Sequence, residues 1–450
     1  MTSAPVTVDA APAGLSVPAR PAEPARRPGP PPWVPLAAWS GLIVAAVVLG
    51  AGVRADRGVH VGAAPFVGTW SPVVGWRLLP AMVVATSAVV AAPRLAARLR
   101  WAALLALSGA GALAWSIALA WSGRPGSLTA PLATRYEYLA AVPGLGSVGE
   151  FVRTFVDAVP TLPTHVKSHP PGLVLVLWAL DRLGLGGAGW AAGLVLLAGA
   201  LAVVAALVAL RELAGEPAAR RAAPFVALAP AAVFVATSSD AFFTGLAAWG
   251  VALVVLATGR HGARGTVLAA GGGLLLGATV YASYGLVLLA APPAAVCVHR
   301  RRSDVAAVTA GGVMAVAMVF TAAGFWWPDG LAAARTAYEA GLSSARPYGY
   351  FLLANLAVLA VLVGPATAAA LGRLRDGRVW LLAGAALLAV AVADLSGLSK
   401  GEVERIWLPF VPWVVVATCA LAGRTSTSRT WLAANLGTGL ALQVLLRSPW

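Results

Sequence analysis

The residues of this chain that could do chemistry are concentrated in one polar stretch, Ser122 to Gly172, between two strongly apolar segments. Only 11% of all residues are charged. The charged and histidine residues of this stretch include Arg135, Glu137, Glu150, Arg153, Asp157, His165, Lys167 and His169. A partly desolvated carboxylate is a candidate general base, and a carboxylate beside histidines is a candidate site for a divalent metal. We therefore expect chemistry to take place here.

Two motifs stand out within the stretch. RYEYLAAVP places Glu137 between Tyr136 and Tyr138, and THVKSHPPG supplies His165 and His169 just before the next apolar segment. Glu137 is a candidate general base, or a candidate ligand of a divalent ion together with a histidine. The alternative is anchoring at a membrane surface, in which the tyrosines lie among lipid headgroups and the proline pair starts a helix.

Asp240 forms a second candidate site, in TSSDAFFTG at the boundary between two apolar segments. An acid at this depth is costly unless it is paired or solvated, which favours a functional role. A helix N-cap formed by Ser238, Ser239 or Asp240 itself accounts for the same sequence.

Two later segments complete the candidates. FWWPDGLAAARTAYEAGLSSARPYGYF combines aromatic and acidic residues, and we interpret it as a helix on the membrane surface. DLSGLSKGEVERIWLPF contains Lys400, Glu404 and Arg405 between two apolar segments. Lysine and arginine there suit a phosphate or pyrophosphate group, with arginine as the bidentate partner. An internally paired turn of glutamate and arginine is the alternative.

Composition predicts which elements must position these residues. Hydrophobic residues make up 59% of the chain, the mean hydropathy is +0.82, and apolar runs of about twenty residues recur. Each run can cross a hydrocarbon core of ~30 Å, which predicts an all-α polytopic integral membrane protein. We expect thirteen transmembrane helices, at about 34–53, 78–93, 101–121, 187–210, 222–237, 241–258, 265–280, 283–298, 305–325, 349–372, 378–394, 406–422 and 430–447.

The distribution of basic residues predicts how the chain is oriented. The net charge is +15, but the lysines and arginines lie between the apolar runs, where they set topology and do not indicate nucleic acid binding. Residues 1–33 are expected to be a disordered cytoplasmic tail, and 34–450 a transmembrane domain of the cell membrane. The four candidate segments then lie on the extracytoplasmic side. Keeping the later basic loops inside requires 173–183 to lie in the outer leaflet without crossing.

In this order of elements the chain resembles the membrane-embedded GT-C glycosyltransferases, particularly the bacterial group with lipopolysaccharide-modifying, mannosyl- and arabinosyl-transferring members. The matching residues are Glu137 after an early span, His169 opening His-Pro-Pro, Asp240, and Lys400 or Arg405. The chain departs from this family in having one acid between two tyrosines where the family often has a pair. Asp157 is the candidate for the second acid.

The resemblance implies a GT-C-like fold and a sugar donor linked to polyprenyl phosphate, with an extracytoplasmic glycan, lipid or protein as acceptor. Glu137 would deprotonate the acceptor hydroxyl, and Lys400 and Arg405 would stabilise the departing lipid phosphate. Asp240, Asp157 or His169 would orient these groups or hold a divalent metal. Glu404, His165 and Tyr136 complete the predicted substrate-binding residues.

Two other classes of function stay open at this point. A secondary transporter or lipid flippase would place functional charges near the bilayer midplane and carry two repeated halves. A structural or assembly protein would show dispersed, mutually paired charges. The chain has no phosphate-binding loop and no HExxH motif, which argues against nucleotide-driven chemistry.

Overall fold

A computed structural model describes residues 1–2, 4, 31, 33–56, 60–123, 126–421 and 425–449 of the chain. The predicted tail therefore lies almost entirely outside the described residues. The α-helices are α1 (Trp33–Ala55), α2 (Leu79–Arg98), α3 (Trp101–Trp121), α4 (Val148–Ala158), α5 (Thr164–Lys167), α6 (Gly172–Arg182), α7 (Ala188–Ala214), α8 (Glu216–Ala227), α9 (Asp240–Thr258), α10 (Gly262–Val280), α11 (Ala291–His299), α12 (Ser303–Ala322), α13 (Trp327–Glu339), α14 (Tyr348–Leu371), α15 (Gly377–Leu395), α16 (Val403–Ile406), α17 (Val411–Val415) and α18 (Thr425–Leu445).

Short 3₁₀ turns connect many of these helices, and strand structure is minimal. The turns are Trp76–Leu78, Pro131–Ala133, Tyr138–Ala141, Val159–Thr161, Pro230–Phe234, Tyr284–Ala290, Leu342–Ala345, Leu408–Phe410 and Val416–Ala420. In the described part of the chain, the strands are β1 (Thr69–Trp70) and β2 (Leu446–Arg447), which pair antiparallel. The prediction of an essentially all-α protein is confirmed.

Ten helical segments among the described residues are long and apolar enough to cross a membrane, which supports a multi-pass membrane protein. They are Trp33–Ala55, Trp76–Arg98, Trp101–Trp121, Ala188–Ala214, Asp240–Thr258, Gly262–Val280, Ser303–Ala322, Tyr348–Leu371, Gly377–Leu395 and Val403–Ala420. Each coincides with one of the thirteen predicted spans.

The other three predicted spans differ in ways that have physical causes. The 222–237 segment is divided, because α8 ends before Pro230, which lacks the N–H needed to continue a helix. The 283–298 segment forms a shorter apolar helix, Tyr284–His299, that begins as a 3₁₀ turn. Helix α18 is long enough, but its asparagine, glutamine and threonines make it less apolar. A total of thirteen crossings therefore stays a prediction.

The bundle core is built by long helices in close contact. Helix α7 packs along α9, and α10 packs between α9 and α12. Helix α14 was expected to be continuous, but it is broken at Gly364, whose φ of 80° is non-helical and which precedes Pro365. The side-chain oxygen of Asn435 in α18 accepts a hydrogen bond from the backbone N–H of Ala366 (3.0 Å). This bond satisfies a donor that the break would otherwise leave unpaired in the core.

Helix α6 is positioned by a close backbone contact at its first residue. It has 11 residues, about 16 Å at the usual rise, which is too short to cross a bilayer core. The N–H of Gly172 donates to the carbonyl oxygen of Tyr281 (3.0 Å), and a Cβ at Gly172 would overlap that oxygen. The glycine that follows His-Pro-Pro is therefore required for α6 to lie against the end of α10.

Replacing Gly172 by alanine is expected to destabilise the fold by about 1–3 kcal/mol, because the backbones of α6 and α10 must move apart. The measurement is the midpoint of thermal unfolding of purified protein in detergent. Gly189→Ala is the matched control, since a Cβ at that position has no neighbour within 4 Å. Equal midpoints for the two variants would show that the close approach at Gly172 is unimportant.

Candidate functional site

Five ionisable side chains from distant parts of the chain meet at one end of the helix bundle. We call this group the polar cluster: Glu137, His165, Asp240, Glu402 and Arg405. Each lies at a helix end, in a short helix or in a connecting turn. Because such positions are on the end surface of the bundle, side chains more than one hundred residues apart in sequence can converge there.

His165 joins the two halves of the polar cluster. Its Nδ1 lies 2.7 Å from Oε1 of Glu137, and its Nε2 lies 3.3 Å from Nη2 of Arg405. A guanidinium can only donate hydrogen bonds, so Nε2 must accept and Nδ1 must carry the proton when His165 is neutral. The imidazole therefore donates to Glu137, which accepts as a carboxylate. The other oxygen of Glu137, Oε2, lies 3.4 Å from the hydroxyl of Ser239.

Arg405 is the central cation of the polar cluster. Its Nη1 donates to Oδ2 of Asp240 (3.0 Å), and its Nη2 donates to Oε2 of Glu402 (2.7 Å). Arg405 is 6% exposed and Asp240 4% exposed. Charges at this depth are stable only when they are paired and hydrogen-bonded, so each of these groups depends on the others.

Ser238 fixes the orientation of the Asp240 carboxylate. Its hydroxyl donates to Oδ2 of Asp240 (2.7 Å) and accepts a hydrogen bond from the Asp240 backbone N–H (3.1 Å). Ser239 is the N-cap residue of α9, and its side chain makes no capping hydrogen bond, so the capping role considered for this sequence is not found. The carboxylate of Asp240 instead faces Arg405.

Glu402 connects Arg405 to a second buried guanidinium. Nη1 of Arg346 lies 3.4 Å from Oε1 of Glu402 and donates to the backbone oxygen of Lys400 (2.8 Å). Burial alone would raise the pKa of the Glu402 carboxyl, but the positive charges of Arg405 and Arg346 lower it below its ordinary value. Glu402 is therefore ionised at neutral pH.

The backbone leading to Glu402 is held by side chains from one segment of the chain. Nδ2 of Asn355 donates to the carbonyl oxygen of Ser399 (2.6 Å), and its Oδ1 accepts from the N–H of Gly401 (3.3 Å). Three other side chains donate to carbonyl oxygens of the loop 395–401: Tyr348 to Leu395 (2.9 Å), Tyr338 to Gly397 (3.1 Å) and Arg346 to Lys400 (2.8 Å). We call 395–401 the anchored loop.

Aromatic rings pack beside the polar cluster and support His165. Nδ1 of His169 donates to the backbone oxygen of His165 (2.8 Å), and its ring stacks on Phe243 with centroids 5.6 Å apart. Tyr138 meets the edge of the same imidazole at 5.7 Å. Burial, followed by the charges of Asp240 and Glu137, raises the pKa of the Tyr138 phenol well above its ordinary value. The phenol therefore stays protonated.

His169 should make the protein sensitive to acid. Burial lowers its pKa from 6.5 to about 4, although nearby Asp240 acts in the opposite direction. The imidazole of the unfolded chain therefore takes up a proton at a higher pH than that of the folded chain. Above pH 6.5 both states are neutral and His169 does not reduce the stability of the fold. As the pH falls from 6.5 towards 4, protonation of the unfolded state lowers the free energy of unfolding.

Replacing His169 by glutamine is therefore expected to reduce the loss of thermal stability between pH 7 and pH 4. The midpoint of thermal unfolding in detergent, measured across this range, gives the slope for each protein. His60→Gln is the control, because His60 is exposed. A slope that is unchanged in His169→Gln would mean that the buried imidazole does not resist protonation.

Apolar space extends from the polar cluster into the bundle. One crevice is lined by Glu137, Tyr138 and Ser239 together with Leu173 and Leu177. A separate apolar cavity is lined by Ala241, Thr244 and Leu408, and also by Ala227. Ala227 also lines a groove between α2, α3 and α8 with a volume of about 320 Å³. The groove is apolar and suits a hydrocarbon chain, and the cavity that shares Ala227 with it extends to Leu408, three residues from Arg405.

Not every predicted site residue lies in the polar cluster. Glu137, His165, His169, Asp240 and Arg405 come together, as described above. The other four lie elsewhere. Tyr136 is exposed, and its hydroxyl accepts a hydrogen bond from Arg135 (2.7 Å), while Asp157 is exposed on α4. The Lys400 ammonium contacts the Ser344 carbonyl oxygen, and Glu404 is buried and accepts a hydrogen bond from the Val67 N–H (3.2 Å).

Glu402, which belongs to the polar cluster, was not identified as a site residue from sequence, and neither were the cluster's neighbours Arg346 and Tyr138. Arg346 shares the Glu402 carboxylate with Arg405 and is therefore the second cation of the site. The sequence had suggested Lys400 as that second cation. The sequence did contain a signal for Arg346, because this arginine lies in a segment predicted to be extracytoplasmic, where basic residues should be scarce. Tyr138 carried a weaker signal, since Tyr136, two residues before it, is exposed and the sequence does not distinguish the two tyrosines.

The polar cluster does not fit a metal site. Within the described ranges, no group of three or more histidine, cysteine, aspartate or glutamate side chains is arranged to hold a metal ion. Its carboxylates already pair with guanidinium and imidazole groups.

In the comparisons with known proteins, no protein-family model matches the chain and no curated protein sequence matches it.

Proposed function

We propose that this protein is a membrane glycosyltransferase that moves a sugar from a polyprenyl-phosphate donor to a hydroxyl of an extracytoplasmic glycan, lipid or protein. The observation that carries the proposal is the His165 bridge, which connects a carboxylate that can act as base to a buried guanidinium. Glycosyl transfer from a phosphate needs a base beside the attacking hydroxyl and a cation beside the leaving phosphate, on opposite sides of the anomeric carbon.

Glu137 supplies the base in this proposal. Its Oε1 is oriented by the Nδ1–H of His165, while Oε2 makes only a long contact with Ser239. An acceptor hydroxyl that replaces this contact can transfer its proton to Oε2 as its oxygen attacks the anomeric carbon. The bond between the anomeric carbon and the phosphate oxygen then breaks, and the electron pair leaves with the phosphate.

Arg405 supplies the positive charge that stabilises the departing phosphate. A phosphate leaving group is already anionic, so a cation suffices and no general acid is required. Arginine is suited to this role because its planar guanidinium can contact two phosphate oxygens at once. The carboxylate of Asp240 holds Nη1 of Arg405 in place during the reaction.

The apolar cavities favour a lipid-linked donor over a soluble one. A chain entering from the groove beside α2 would meet the cavity at Ala227 and approach Leu408, three residues from Arg405. The lipid phosphate would then reach the polar cluster. The charges lie at helix ends and not at mid-helix, which favours a transferase over a transporter or flippase.

The test is transfer of labelled sugar by purified protein reconstituted in lipid. We expect label to leave a polyprenyl-phosphate sugar and appear in the acceptor, with one polyprenyl phosphate released per sugar transferred. In parallel, the sidedness of the labelled donor is followed in sealed vesicles. Donor that crosses the bilayer without losing its sugar would contradict the proposal and support a flippase.

A further inference from the structure

Glu402 occupies the space between two arginines that come from different parts of the chain. Its Oε1 lies 3.4 Å from Arg346 and its Oε2 lies 2.7 Å from Arg405. The Glu402 side chain is 21% exposed, against 5% for Arg346 and 7% for Arg405. The Glu402 side chain is therefore the most accessible of the three, and its carboxylate contacts both guanidiniums.

The backbone conformation of Glu402 is unusual and directs its side chain to this position. Its φ of 64° lies in the left-handed region, which residues with a Cβ rarely adopt. The anchored loop holds the preceding residue through the bond from Gly401 to Asn355. The carbonyl oxygen of Glu402 accepts from the N–H groups of Arg405 and Ile406, both at 3.2 Å. The carboxylate can therefore leave by rotation of its side chain without any backbone movement.

We propose that Arg346 and Arg405 form a phosphate-binding site, which Glu402 fills with its own carboxylate until an external phosphate displaces it. A phosphate presents oxygens to guanidinium groups as a carboxylate does, and it carries more negative charge. Exchange of one anion for the other keeps both buried arginines compensated throughout. This internal anion thus prevents unpaired charge when no ligand is bound.

The source of the phosphate is the one part of this inference that rests on the proposed function. If the protein transfers sugar from a lipid, the phosphate is the headgroup of the donor or of the released polyprenyl phosphate. If it does not, the same pair of arginines still binds a phosphate. A binding measurement without any sugar transfer therefore separates the failure of one proposal from the failure of the other.

The experiment follows thermal unfolding of the full chain in detergent, with and without millimolar inorganic phosphate at constant ionic strength. The key variant is Glu402→Asn, because asparagine tolerates the left-handed conformation and is uncharged. We expect phosphate to raise the unfolding midpoint of Glu402→Asn at a concentration about tenfold lower than in the natural protein, since the internal competitor is gone. The effect should disappear in the double variant Arg346→Gln/Glu402→Asn.

Asp376→Asn is the matched control, because Asp376 pairs with Arg378 (2.8 Å) outside the polar cluster. An equal phosphate effect in this control, or one that persists without Arg346, would overturn the proposal. Glu402→Gln provides a second variant if Glu402→Asn folds poorly. Failure of both to fold even in phosphate would also contradict it, since an external anion should replace the carboxylate.

A second ligand distinguishes the two sources of phosphate. Farnesyl phosphate carries the same headgroup on a short isoprenoid chain, and it is compared with inorganic phosphate at equal concentrations. A half-maximal effect at a much lower farnesyl phosphate concentration supports a lipid-linked ligand. Equal potency supports free phosphate at the same two arginines.

Discussion

Replacing Glu137 by glutamine is expected to lower kcat for sugar transfer by about 10²–10⁴-fold, the usual contribution of a general base. The side chain keeps its shape, so its amide oxygen can still accept from His165. Its amide group can donate to the hydroxyl oxygen of Ser239. What is lost is the ability to take a proton from the acceptor hydroxyl. We therefore expect KM for the donor to change little, because Glu137 does not hold the donor phosphate.

Glu150→Gln is the control for this prediction. Glu150 lies in the same polar stretch, at the start of α4, and is exposed. The measurement is initial rates of label transfer at several donor concentrations, with the unfolding midpoint of each variant determined in parallel. A Glu137→Gln protein that keeps its stability and its kcat would remove Glu137 from the role of base.

Replacing Arg405 by methionine is expected to abolish transfer and to destabilise the protein by about 3–5 kcal/mol. Most of this cost arises because the buried carboxylate of Asp240 loses its cation. Adding Asp240→Asn should recover much of the stability, since removing both charges of a buried pair is less costly than removing one. Transfer should not recover, because the departing phosphate still lacks its positive charge.

The different responses of stability and activity are the decisive part of this test. Unfolding midpoints and transfer rates are measured for both single variants and for the double variant. If transfer returned together with stability in Asp240→Asn/Arg405→Met, Arg405 would have only a structural role. If the double variant were as unstable as the sum of the singles, the two side chains would not be energetically coupled, despite their distance of 3.0 Å.

Sequence reasoning predicted the spanning helices more accurately than the site. Apolar runs without breaks, such as 101–121, matched helices almost to the residue. The 222–237 run did not, because α8 stops before Pro230, and the 349–372 run matched in extent but is broken at Gly364. These breaks depend on partners such as Asn435, which supports the interrupted backbone from another helix.

The grouping of the candidate residues was predicted in part. Motifs next to long apolar runs indicated Glu137, Asp240 and Arg405, which do meet. Lys400 and Arg405 looked equivalent in sequence, yet the backbone of the anchored loop directs the Lys400 ammonium towards Ser344 and away from the polar cluster. Residues within a few positions of each other thus separate, because their directions depend on local φ and ψ.

By itself, the sequence determined that the chain forms apolar helices with charged groups at their ends. Backbone groups in a hydrocarbon medium must bond within their own segment, and ionised side chains there are costly. Only the tertiary structure decided which charges meet. The distance between Glu137 and Arg405 depends on how α5, α9 and α16 pack against one another, and no local pattern encodes that arrangement. Once packed, the buried charges had to be mutually compensated, which is why Arg346 and Glu402 belong to the site.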